Sequence, residues 1–482
     1  MKQINAQHHR RFPRIVLSAL RGGSGKTILS IGIIAAWKNR GIEVVPFKKG
    51  PDYIDAGWLG LVAGQPCHNL DTFLASESQV LSSFLKHASS GSVSLIEGNR
   101  GLYDGIDLEG ATSTAELSKL LNSPVILCVD GTKTSRTMAA VVSGCNQFDP
   151  GVGIEGVILN RVAGPRHEAI LTKSIEHYCD IPVVGAVPKL KGQNFPERHM
   201  GLVPTLEHAL ATAAITEVSV IAEKYLDLDK ILSIANDAKD LPVSIPSEDD
   251  RQSIETEAVK SPTIVSADRP RIGIIKDSAF QFYYPENLDT LKQAGAETVL
   301  ISPLNSRSLP PVDALYIGGG FPETHAEQLA ENRSFKSELK ALAEDGLPIY
   351  AECGGLMYLA KELVVEGNVY PMADVLPLTL DLSQRPQGHG YTIVRVDKEN
   401  PYFEIGMELK GHEFHYSRVL KWQGADDDLV FAMIRGTGVV DQRDGIVYRN
   451  VLATYTHLHA LGTPIWAEAL VRNAMARKST KK

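Results

Sequence analysis

The sequence predicts an α/β protein of two domains, the first of which is built around a parallel β-sheet. In both halves of the chain, short apolar runs alternate with helical patterns. In the first half these runs end in Gly, Asp or Asn and show little polar alternation, which is typical of parallel strands buried on both faces. A stretch dominated by Pro, Ser, Glu, Asp and Lys separates the two series. We therefore expect a first domain over residues 1–243, a linker over 244–270 and a second domain over 271–482.

Composition and charge narrow the class of protein. A chain of 482 residues exceeds the size of a single ordinary core. An apolar fraction of 43% with 22% charged residues is that of a soluble globular protein. The net charge of −8 provides no basic surface for nucleic acid. We therefore expect small-molecule substrates and no nucleic-acid partner.

The cysteines and the apolar runs predict the compartment. Five cysteines form an odd, scattered set without a CxxC pair, which argues against a disulfide framework and against a zinc cluster. The first 14 residues are polar and lack the apolar core of a signal peptide, and no uninterrupted apolar run is long enough to span a bilayer. We expect a cytoplasmic protein with no membrane partner.

A strand, a glycine-rich loop and a helix are predicted at the start of the first domain. The apolar run 15–17 (IVL) precedes the loop, and an apolar helical stretch follows it. In such a loop the backbone N–H groups and the helix N-terminus bind phosphates, the lysine reaches the terminal phosphates and the hydroxyl ligates magnesium. The predicted ATP-binding residues of the loop are Gly22, Gly23, Ser24, Gly25, Lys26 and Thr27.

This loop departs from the standard phosphate-binding pattern. Leu20 occupies the position, five residues before Gly25, where the standard loop has glycine. The departure resembles the branch with a modified loop, which includes partition ATPases and ATP-dependent ligases of the dethiobiotin synthetase type. A glycine-rich turn could be a structural bend, but a GKT sequence directly after a strand favours nucleotide binding.

Acidic side chains follow the next predicted strands. The segment 48–55 (KKGPDYID) contains Asp52, and the segment 97–105 (EGNRGLYDG) begins with Glu97. The carboxyl ends of parallel strands meet at one edge of a sheet, and magnesium on nucleotide phosphates takes one or two carboxylates and a hydroxyl. Thr27, Asp52 and Glu97 are therefore the predicted Mg²⁺ ligands. The alternative is that these segments are turns with solvated acids, which the repetition at successive strand ends makes weaker.

A polar pair closes a later strand of the first domain. There the amide of Asn160 could contact the nucleotide base, and we predict it as an ATP-binding residue. A plain polar strand end is an equal alternative.

The second domain contains a cysteine between a predicted strand and a glycine-opened helix. In the segment 350–356 (YAECGGL), the turn places the Cys353 thiol at a helix N-terminus, which lowers a thiol pKa and favours the thiolate. A lone cysteine is more often a packing group. Two distant features favour catalysis: the glycine run 318–320, whose amides suit an oxyanion, and His457, a general base and acid at the end of a late strand.

These features resemble the class I glutamine amidotransferase domain, which has a flavodoxin-like α/β fold. The resemblance implies that Cys353 and His457 are catalytic. The residues that it implies for the oxyanion hole are Gly319, Gly320 and Gly354. The ordinary family pattern is His-x-Glu, whereas His459 occupies the glutamate position here. That replacement is typical of the cobyrinate and cobyrate synthase branch, in which cysteine and histidine act without the usual acid.

Over residues 14–472 the chain resembles the cobyrinate a,c-diamide synthase family. The modified loop, the segments 48–55 and 97–105 and the cysteine–histidine pair all match, and the run 411–417 (GHEFHYS) is typical of that family. Two histidines that alternate along a strand could by themselves indicate a metal site or a cavity lining. Because no third ligand is evident, we prefer the cavity lining.

The resemblance implies ATP- and glutamine-dependent amidation of the a and c acetates of cobyrinate, a cobalt corrin polycarboxylate, with Mg²⁺ as cofactor. ATP would convert the carboxylate into an acyl phosphate, and ammonia released from glutamine would pass inside the protein and displace phosphate. The residues expected near the substrate are Tyr53, Asp55 and Asp104. A homodimer is left open.

Two alternatives stay open. The same chemistry could act on nickel sirohydrochlorin or hydrogenobyrinate, because related branches share these motifs. An alternative of a different class is a partition-type ATPase switch with a degenerate second domain, since Arg21 stands where those switches carry a signature lysine. The intact Cys353, glycine run and His457 argue against that switch.

Overall fold

The computed structural model describes residues 12–190, 197–198, 201–202, 211–241 and 269–480. The chain divides into two compact units, the first formed by Met1–Thr72 with Ser76–Ile245 and the second by Phe73–Ala75 with Pro246–Lys482. Residues 244–268 of the predicted linker lie outside the described part of the chain. Both units are α/β folds, as the sequence predicts.

The first unit is built on a seven-stranded sheet in which all neighbouring strands are parallel. Its strands are β1 (Arg14–Ala19), β2 (Val44–Lys49), β3 (His68–Leu70), β4 (Val93–Glu97), β5 (Val125–Asp130), β6 (Ile154–Val162) and β7 (Val183–Pro188). They lie in the order β3-β2-β4-β1-β5-β6-β7. Every residue of β1, β2 and β4 is buried, as expected for central strands covered on both faces. A short antiparallel pair, β8 (Glu197–Arg198) and β9 (Gly201–Leu202), follows.

Helices connect these strands. They are α1 (Lys26–Asn39), α2 (Ile54–Ala63), α3 (Glu77–His87), α4 (Thr114–Leu120), α5 (Thr137–Phe148), α6 (Pro165–Cys179), α7 (Ala211–Tyr225) and α8 (Leu228–Asn236). Ser76 and Gln79 form a capping box that starts α3. Helices α1 and α7 approach so closely that a Cβ on Gly32 would lie 2.8 Å from the carbonyl oxygen of Val218. Only glycine fits there without displacement of the backbone.

The second unit contains a ten-stranded mixed sheet. Its strands are β10 (Arg271–Ile275), β12 (Glu297–Ile301), β13 (Ala314–Ile317), β15 (Ile349–Glu352), β19 (Gly388–Val396), β20 (Glu408–His415), β22 (Leu429–Arg435), β23 (Arg443–Tyr448), β24 (Val451–Thr454) and β25 (His457–Leu458). The order is β12-β10-β13-β15-β24-β23-β22-β19-β20-β25. The five strands from β12 to β24 are parallel, and the rest continue antiparallel.

Smaller elements complete the second unit. The remaining strands are β11 (Phe280–Phe282) with β14 (Gly319–Gly320), and the four-stranded sheet β17 (Asn368–Pro371), β16 (Ala360–Val365), β18 (Leu376–Leu382) and β21 (Ser417–Trp422). The α-helices are α9 (Pro285–Gln293), α10 (Ala326–Glu331), α11 (Arg333–Glu344), α12 (Gly354–Leu359) and α13 (Ile465–Thr480), and Pro322–His325 and Asp426–Asp428 are 3-10 turns.

The main sheet of the second unit separates two apolar cores. Along β13, Leu315 and Ile317 pack in one core, and Ala314 and Tyr316 pack in the other. This alternation follows from the opposite directions of successive side chains in a strand. Within the described residues of the chain, no helix is long and apolar enough to cross a membrane.

Candidate active sites

The glycine-rich loop of the first unit joins β1 to α1. Gly23 and Gly25 adopt left-handed conformations, with φ of +71° and +93°, and Gly25 is the N-cap of α1. This shape suits glycine because a Cβ is strained at positive φ. The loop borders a cavity of about 500 Å³ whose wall also includes Lys26, Thr27 and Glu97.

Lys26 is held by backbone carbonyls of this cavity. Its Nζ donates to the carbonyl oxygen of Arg100 at 2.6 Å and to that of Arg21 at 3.3 Å. Burial, and next the positive charge of Lys48, lower the pKa of Lys26. The ammonium is therefore anchored at the loop by dipoles, in the position from which a phosphate-loop lysine reaches phosphate oxygens.

Asn160 lies at the carboxyl end of β6 and on the wall of the same cavity. Its Nδ2 donates to the carbonyl oxygen of Ser24 at 2.8 Å. Next to it, Arg161 donates to Asp130 at 2.8 Å, and Arg21 lies 3.7 Å from the same carboxylate. The polar end of β6 is thus tied to the phosphate loop.

Lys48 forms a buried ion cluster with two carboxylates. Sheet register places Lys48 of β2 opposite Glu97 of β4. The Lys48 Nζ lies 2.6 Å from Glu97 Oε1 and 2.7 Å from Asp55 Oδ2. The Thr27 hydroxyl donates to Glu97 Oε1 at 2.9 Å. The sequence analysis includes Lys48 in the charged segment 48–55 but assigns it no role. Its position opposite Glu97 depends on strand pairing, which the local sequence does not specify.

Charge and burial shift the protonation of this cluster. Burial, opposed by Lys48 and reinforced by Asp55, raises the pKa of Glu97. Burial acts the same way on Asp55, but the charge of Lys48 and hydrogen bonds, including those with Lys48 and Thr27, together outweigh it and lower the pKa of that carboxyl. Burial also works against the Lys48 ammonium, yet Asp55 and Glu97 raise its pKa well above the usual value. A cationic centre between two carboxylates is therefore favoured.

Asp52 and Asp55 differ in their surroundings. The Asp52 Oδ1 accepts the backbone N–H of Asp55 at 2.9 Å at the start of α2. Burial, and then the charge of Asp55, raise the pKa of Asp52 to about 7. Asp55, by contrast, lies in the cavity wall with Thr27 and Glu97. Thr27, Asp55 and Glu97 thus form one oxygen set on the cavity wall, and the assignment of Asp52 as a metal ligand stays a prediction.

This oxygen set fits a hard divalent cation. Glu97 is fully buried, and its Oε2 accepts no hydrogen bond from the described residues. Such an atom needs a partner, and two carboxylates with a hydroxyl are what magnesium takes beside phosphates. No group of three or more His, Cys, Asp or Glu side chains in the described ranges could hold a metal ion, so a cation here would depend on the hydroxyl and on non-protein ligands.

The other predicted substrate residues are Tyr53 and Asp104. Tyr53 is the residue that precedes α2. Asp104 is exposed, and its Oδ2 accepts the N–H of Gly101 at 2.8 Å. Of the three predicted substrate residues, only Asp55 belongs to the described cavity wall.

In the second unit, Cys353 forms a sharp turn between β15 and α12. Its φ of +48° and ψ of −99° are unusual for a residue with a side chain and are typical of a strained nucleophile turn. The glycines that follow are needed for close packing: a Cβ on Gly354 would lie 2.9 Å from the backbone nitrogen of Gly320. The predicted oxyanion residues Gly320 and Gly354 are thus brought together beside Cys353.

The environment of Cys353 reverses one expectation. Burial, and then the charge of Glu323, raise the pKa of the Cys353 thiol, whereas the helix N-terminus predicted a lowered pKa. Desolvation disfavours the thiolate more than the short helix favours it. The Sγ lies 3.9 Å from the carbonyl oxygen of Phe414. A neutral thiol needs a base to remove its proton.

His457 begins the short strand β25, which follows β24 in the chain and pairs with β20. It pairs with His412 across β20 and β25, and the two rings stack with centroids 4.8 Å apart. Its imidazole lies against Gly319, since a Cβ there would come within 2.6 Å of His457 Cε1. Burial, and then His457 and His459, lower the pKa of His412 well below its usual value. His412 is thereby kept neutral.

A buried glutamate beside His457 was missed by the sequence analysis. Glu352 Oε2 lies 3.5 Å from His457 Nδ1 and accepts the Tyr316 hydroxyl at 2.9 Å. The other oxygen, Oε1, accepts the N–H of Leu458 at 3.0 Å. The available signal was an acidic residue at the buried end of the strand before Cys353.

Most residues of the run 411–417 are buried, with Phe414 and Tyr416 partly exposed, and the predicted cavity lining stays a prediction. His415 stacks on Tyr455 with ring centroids 3.6 Å apart. Glu413 accepts the N–H of Thr437 at 2.6 Å and that of Gly438 at 3.0 Å. Burial would raise the pKa of Glu413, but its hydrogen bonds, including those with His415 and Gly438, lower it.

Comparison with known proteins matches both units. Residues 15–203 match the CobQ/CobB/MinD/ParA nucleotide binding domain, and residues 271–465 match the CobB/CobQ-like glutamine amidotransferase domain. A cobyrinate a,c-diamide synthase of Magnetococcus marinus is 43% identical, with 96% of this chain and 97% of that protein covered. Proteins of the same name from Archaeoglobus fulgidus (40%; 97% and 98% covered) and Listeria innocua (39%; 94% and 97% covered) are also similar.

Proposed function

This chain belongs to the cobyrinate a,c-diamide synthase family, and from that membership we propose that it amidates the a and c acetates of cobyrinate with ATP and glutamine. It is a ligase with a glutamine amidotransferase domain and a nucleotide-binding domain. The observation that carries the proposal is the presence, in one chain, of a phosphate loop beside an oxygen cluster and of a cysteine turn whose preceding residue, Glu352, pairs with His457.

The second unit would release ammonia from glutamine. The Cys353 sulfur attacks the side-chain carbonyl, and His457 accepts the thiol proton and passes it to the departing ammonia. Amides of Gly319, Gly320 and Gly354 would bind the oxyanion. Water then hydrolyses the thioester, and glutamate leaves. The raised pKa of the Cys353 thiol supports a role for His457 as a base rather than as the partner of a resting thiolate.

The first unit would activate the substrate carboxylate. A carboxylate is a poor electrophile, so its oxygen attacks the γ-phosphorus of ATP and forms an acyl phosphate and ADP. Ammonia then adds to the acyl carbon, phosphate leaves and a carboxamide remains. The loop amides and Lys26 would bind the phosphates, and Asn160, on the cavity wall, would contact the nucleotide.

We propose Thr27, Asp55 and Glu97 as the ligands of Mg²⁺. When bound there, the ion would neutralise negative charge on the phosphates. Lys48 balances Asp55 and Glu97, and Asp52 fixes Asp55 through its backbone N–H. Tyr53 and Asp104 remain proposed substrate contacts. The cytoplasmic location and the homodimer stay predictions.

The substrate is tested directly by incubation of the purified protein with glutamine, ATP and Mg²⁺. Cobyrinate, hydrogenobyrinate and nickel sirohydrochlorin are supplied separately, and amide groups are counted by mass spectrometry. We expect two amidations of cobyrinate and slower reaction of the other rings. Faster amidation of either alternative ring would reassign the substrate. ATP hydrolysis without any amidation, with glutamine or ammonium, would contradict the ligase function.

A further inference from the structure

Glu352 is the last residue of β15 and directly precedes Cys353. It is completely buried, and both carboxylate oxygens have partners. Oε1 accepts the N–H of Leu458 at 3.0 Å, and Oε2 accepts the Tyr316 hydroxyl at 2.9 Å. Two donors from two other strands therefore hold this carboxylate in a fixed orientation, which is the condition for a buried acid to act on a neighbour.

That orientation points Glu352 at the imidazole of His457. Its Oε2 lies 3.5 Å from Nδ1, and both side chains are at least 98% buried, with exposed fractions of 0% and 2%. The same imidazole lies against Gly319 of the proposed oxyanion segment, on its Cε1 and Nε2 side. A base that works through one ring nitrogen needs the proton on the other nitrogen fixed by an acceptor. Catalytic contacts of this kind are often long before substrate binds.

His459 has different neighbours, although it occupies the position of the glutamate in the ordinary pattern. Its Nε2 lies 3.7 Å from Glu286 Oε2, and its ring centroid is 4.4 Å from that of Tyr284. His412, which stacks on His457, is kept neutral by burial. The carboxylate that pairs with His457 is that of Glu352.

We propose that Glu352 is the positioning residue that orients His457, in place of the glutamate that the His-x-Glu pattern supplies. The acid comes from the residue before the nucleophile instead of the second residue after the histidine. Because Leu458 donates to Glu352 and follows His457, one carboxylate fixes both the backbone and the ring. The proposal rests on the proposed glutaminase roles of Cys353 and His457.

The test is Glu352→Gln in the full-length protein, with glutamine hydrolysis and ammonium-dependent amidation measured separately. The amide keeps the size of the side chain and can still accept one hydrogen bond, but it removes the charge. We expect kcat for glutamine hydrolysis to fall about 100-fold and ammonium-dependent amidation to stay at the wild-type rate. KM for glutamine should stay near the wild-type value, because Glu352 is completely buried and acts through His457.

Two further variants separate positioning from general damage to the buried network. Tyr316→Phe removes one donor to Glu352 and keeps the charge, so we expect a decrease of about tenfold in kcat with KM unchanged. Glu286→Gln is the matched control, because it neutralises a buried carboxylate beside His459; it should retain glutamine hydrolysis. Partial misfolding would also lower the melting temperature, which is measured for each variant.

The outcomes that overturn the proposal are specific. Wild-type kcat in Glu352→Gln would do so, as would a loss expressed in KM alone or an equal loss of kcat in Glu286→Gln. If Glu352→Gln does not fold, an unchanged kcat in Tyr316→Phe would be decisive against it. Failure of the wild-type protein to hydrolyse glutamine would instead refute the proposed function.

Discussion

Two carboxylates of the first candidate site, Asp52 and Glu97, differ from two of the second in the interactions that surround them. In the first unit, burial and neighbouring negative charges raise the pKa values of Asp52 and Glu97, and Lys48 only partly offsets this. In the second unit, hydrogen bonds lower the pKa of Glu413 against the effect of burial, and Glu352 has a donor on each oxygen. A bound cation would offset the negative charge of Asp52 and Glu97, whereas hydrogen bonds already stabilise Glu413 and Glu352. The first site is therefore prepared for charge binding and the second for oriented proton transfer.

The sharpest way to separate the sites is Cys353→Ser. The serine hydroxyl is a much weaker nucleophile in a buried environment, so we expect glutamine hydrolysis to fall by about 10⁵-fold or more. Amidation with added ammonium should survive, because the first unit is unaltered. Cys145→Ser, a partly buried cysteine of the first unit, is the control and should retain both activities. Loss of ammonium-dependent amidation in Cys353→Ser would contradict two separable sites.

The converse change is Glu97→Gln. Removal of this charge takes a ligand from the proposed metal set and an ion-pair partner from Lys48, so we expect ATP-dependent amidation to fall by about 10³-fold with either nitrogen source. Glutamine hydrolysis should continue. The matched control is Glu116→Gln, whose carboxylate forms a partly exposed pair with Lys119; it should behave like the wild type. Amidation at the wild-type rate in Glu97→Gln would remove it from the site.

Much of both sites follows from local sequence. The phosphate loop, Glu97, Cys353 and His457 all stand at ends of apolar runs, and parallel strands bring such ends to one edge. The antiparallel half of the second sheet was not predicted, because strand direction depends on connections that the apolar pattern does not record. The raised pKa of the Cys353 thiol also escaped prediction, since it depends on burial of the thiol and on the charge of Glu323, which outweigh the backbone N–H of Gly354 at the adjacent helix.

The contacts between side chains were the least predictable part. Asp52 and Asp55 are three residues apart in one acidic segment, and only the start of α2 decides that Asp52 caps the turn while Asp55 faces Lys48. The contact of Glu352 with His457 joins residues more than 100 positions apart. Such pairs depend on register and side-chain direction, which motifs do not specify.

Asp55→Asn and Asp52→Asn compare direct and indirect roles within the first site. If Asp55 is the ligand, Asp55→Asn should lower ATP-dependent amidation about 100-fold and require more Mg²⁺ for half-maximal rate. Asp52→Asn keeps the acceptor for the Asp55 N–H, so we expect a decrease of about tenfold. A magnesium titration of both variants measures the difference. A greater magnesium requirement in Asp52→Asn would restore Asp52 as the ligand.

The smallest expected effect is on stability, and its sign should differ between the units. The pKa of Asp52 is raised to about 7, so its ionisation destabilises the folded state as pH rises from about 4 to above 7. Asp52→Asn should therefore match the wild type near pH 4 and melt about 2–4 °C higher near pH 8, without magnesium.

The pKa of Glu413 is lowered, so its ionised form is stabilising near neutral pH and this contribution is lost on acidification. Glu413→Gln should melt below the wild type at pH 8, with the difference shrinking as pH falls. Thermal unfolding followed at several pH values measures both, and shifts of the same sign in the two variants would contradict the contrast between the sites.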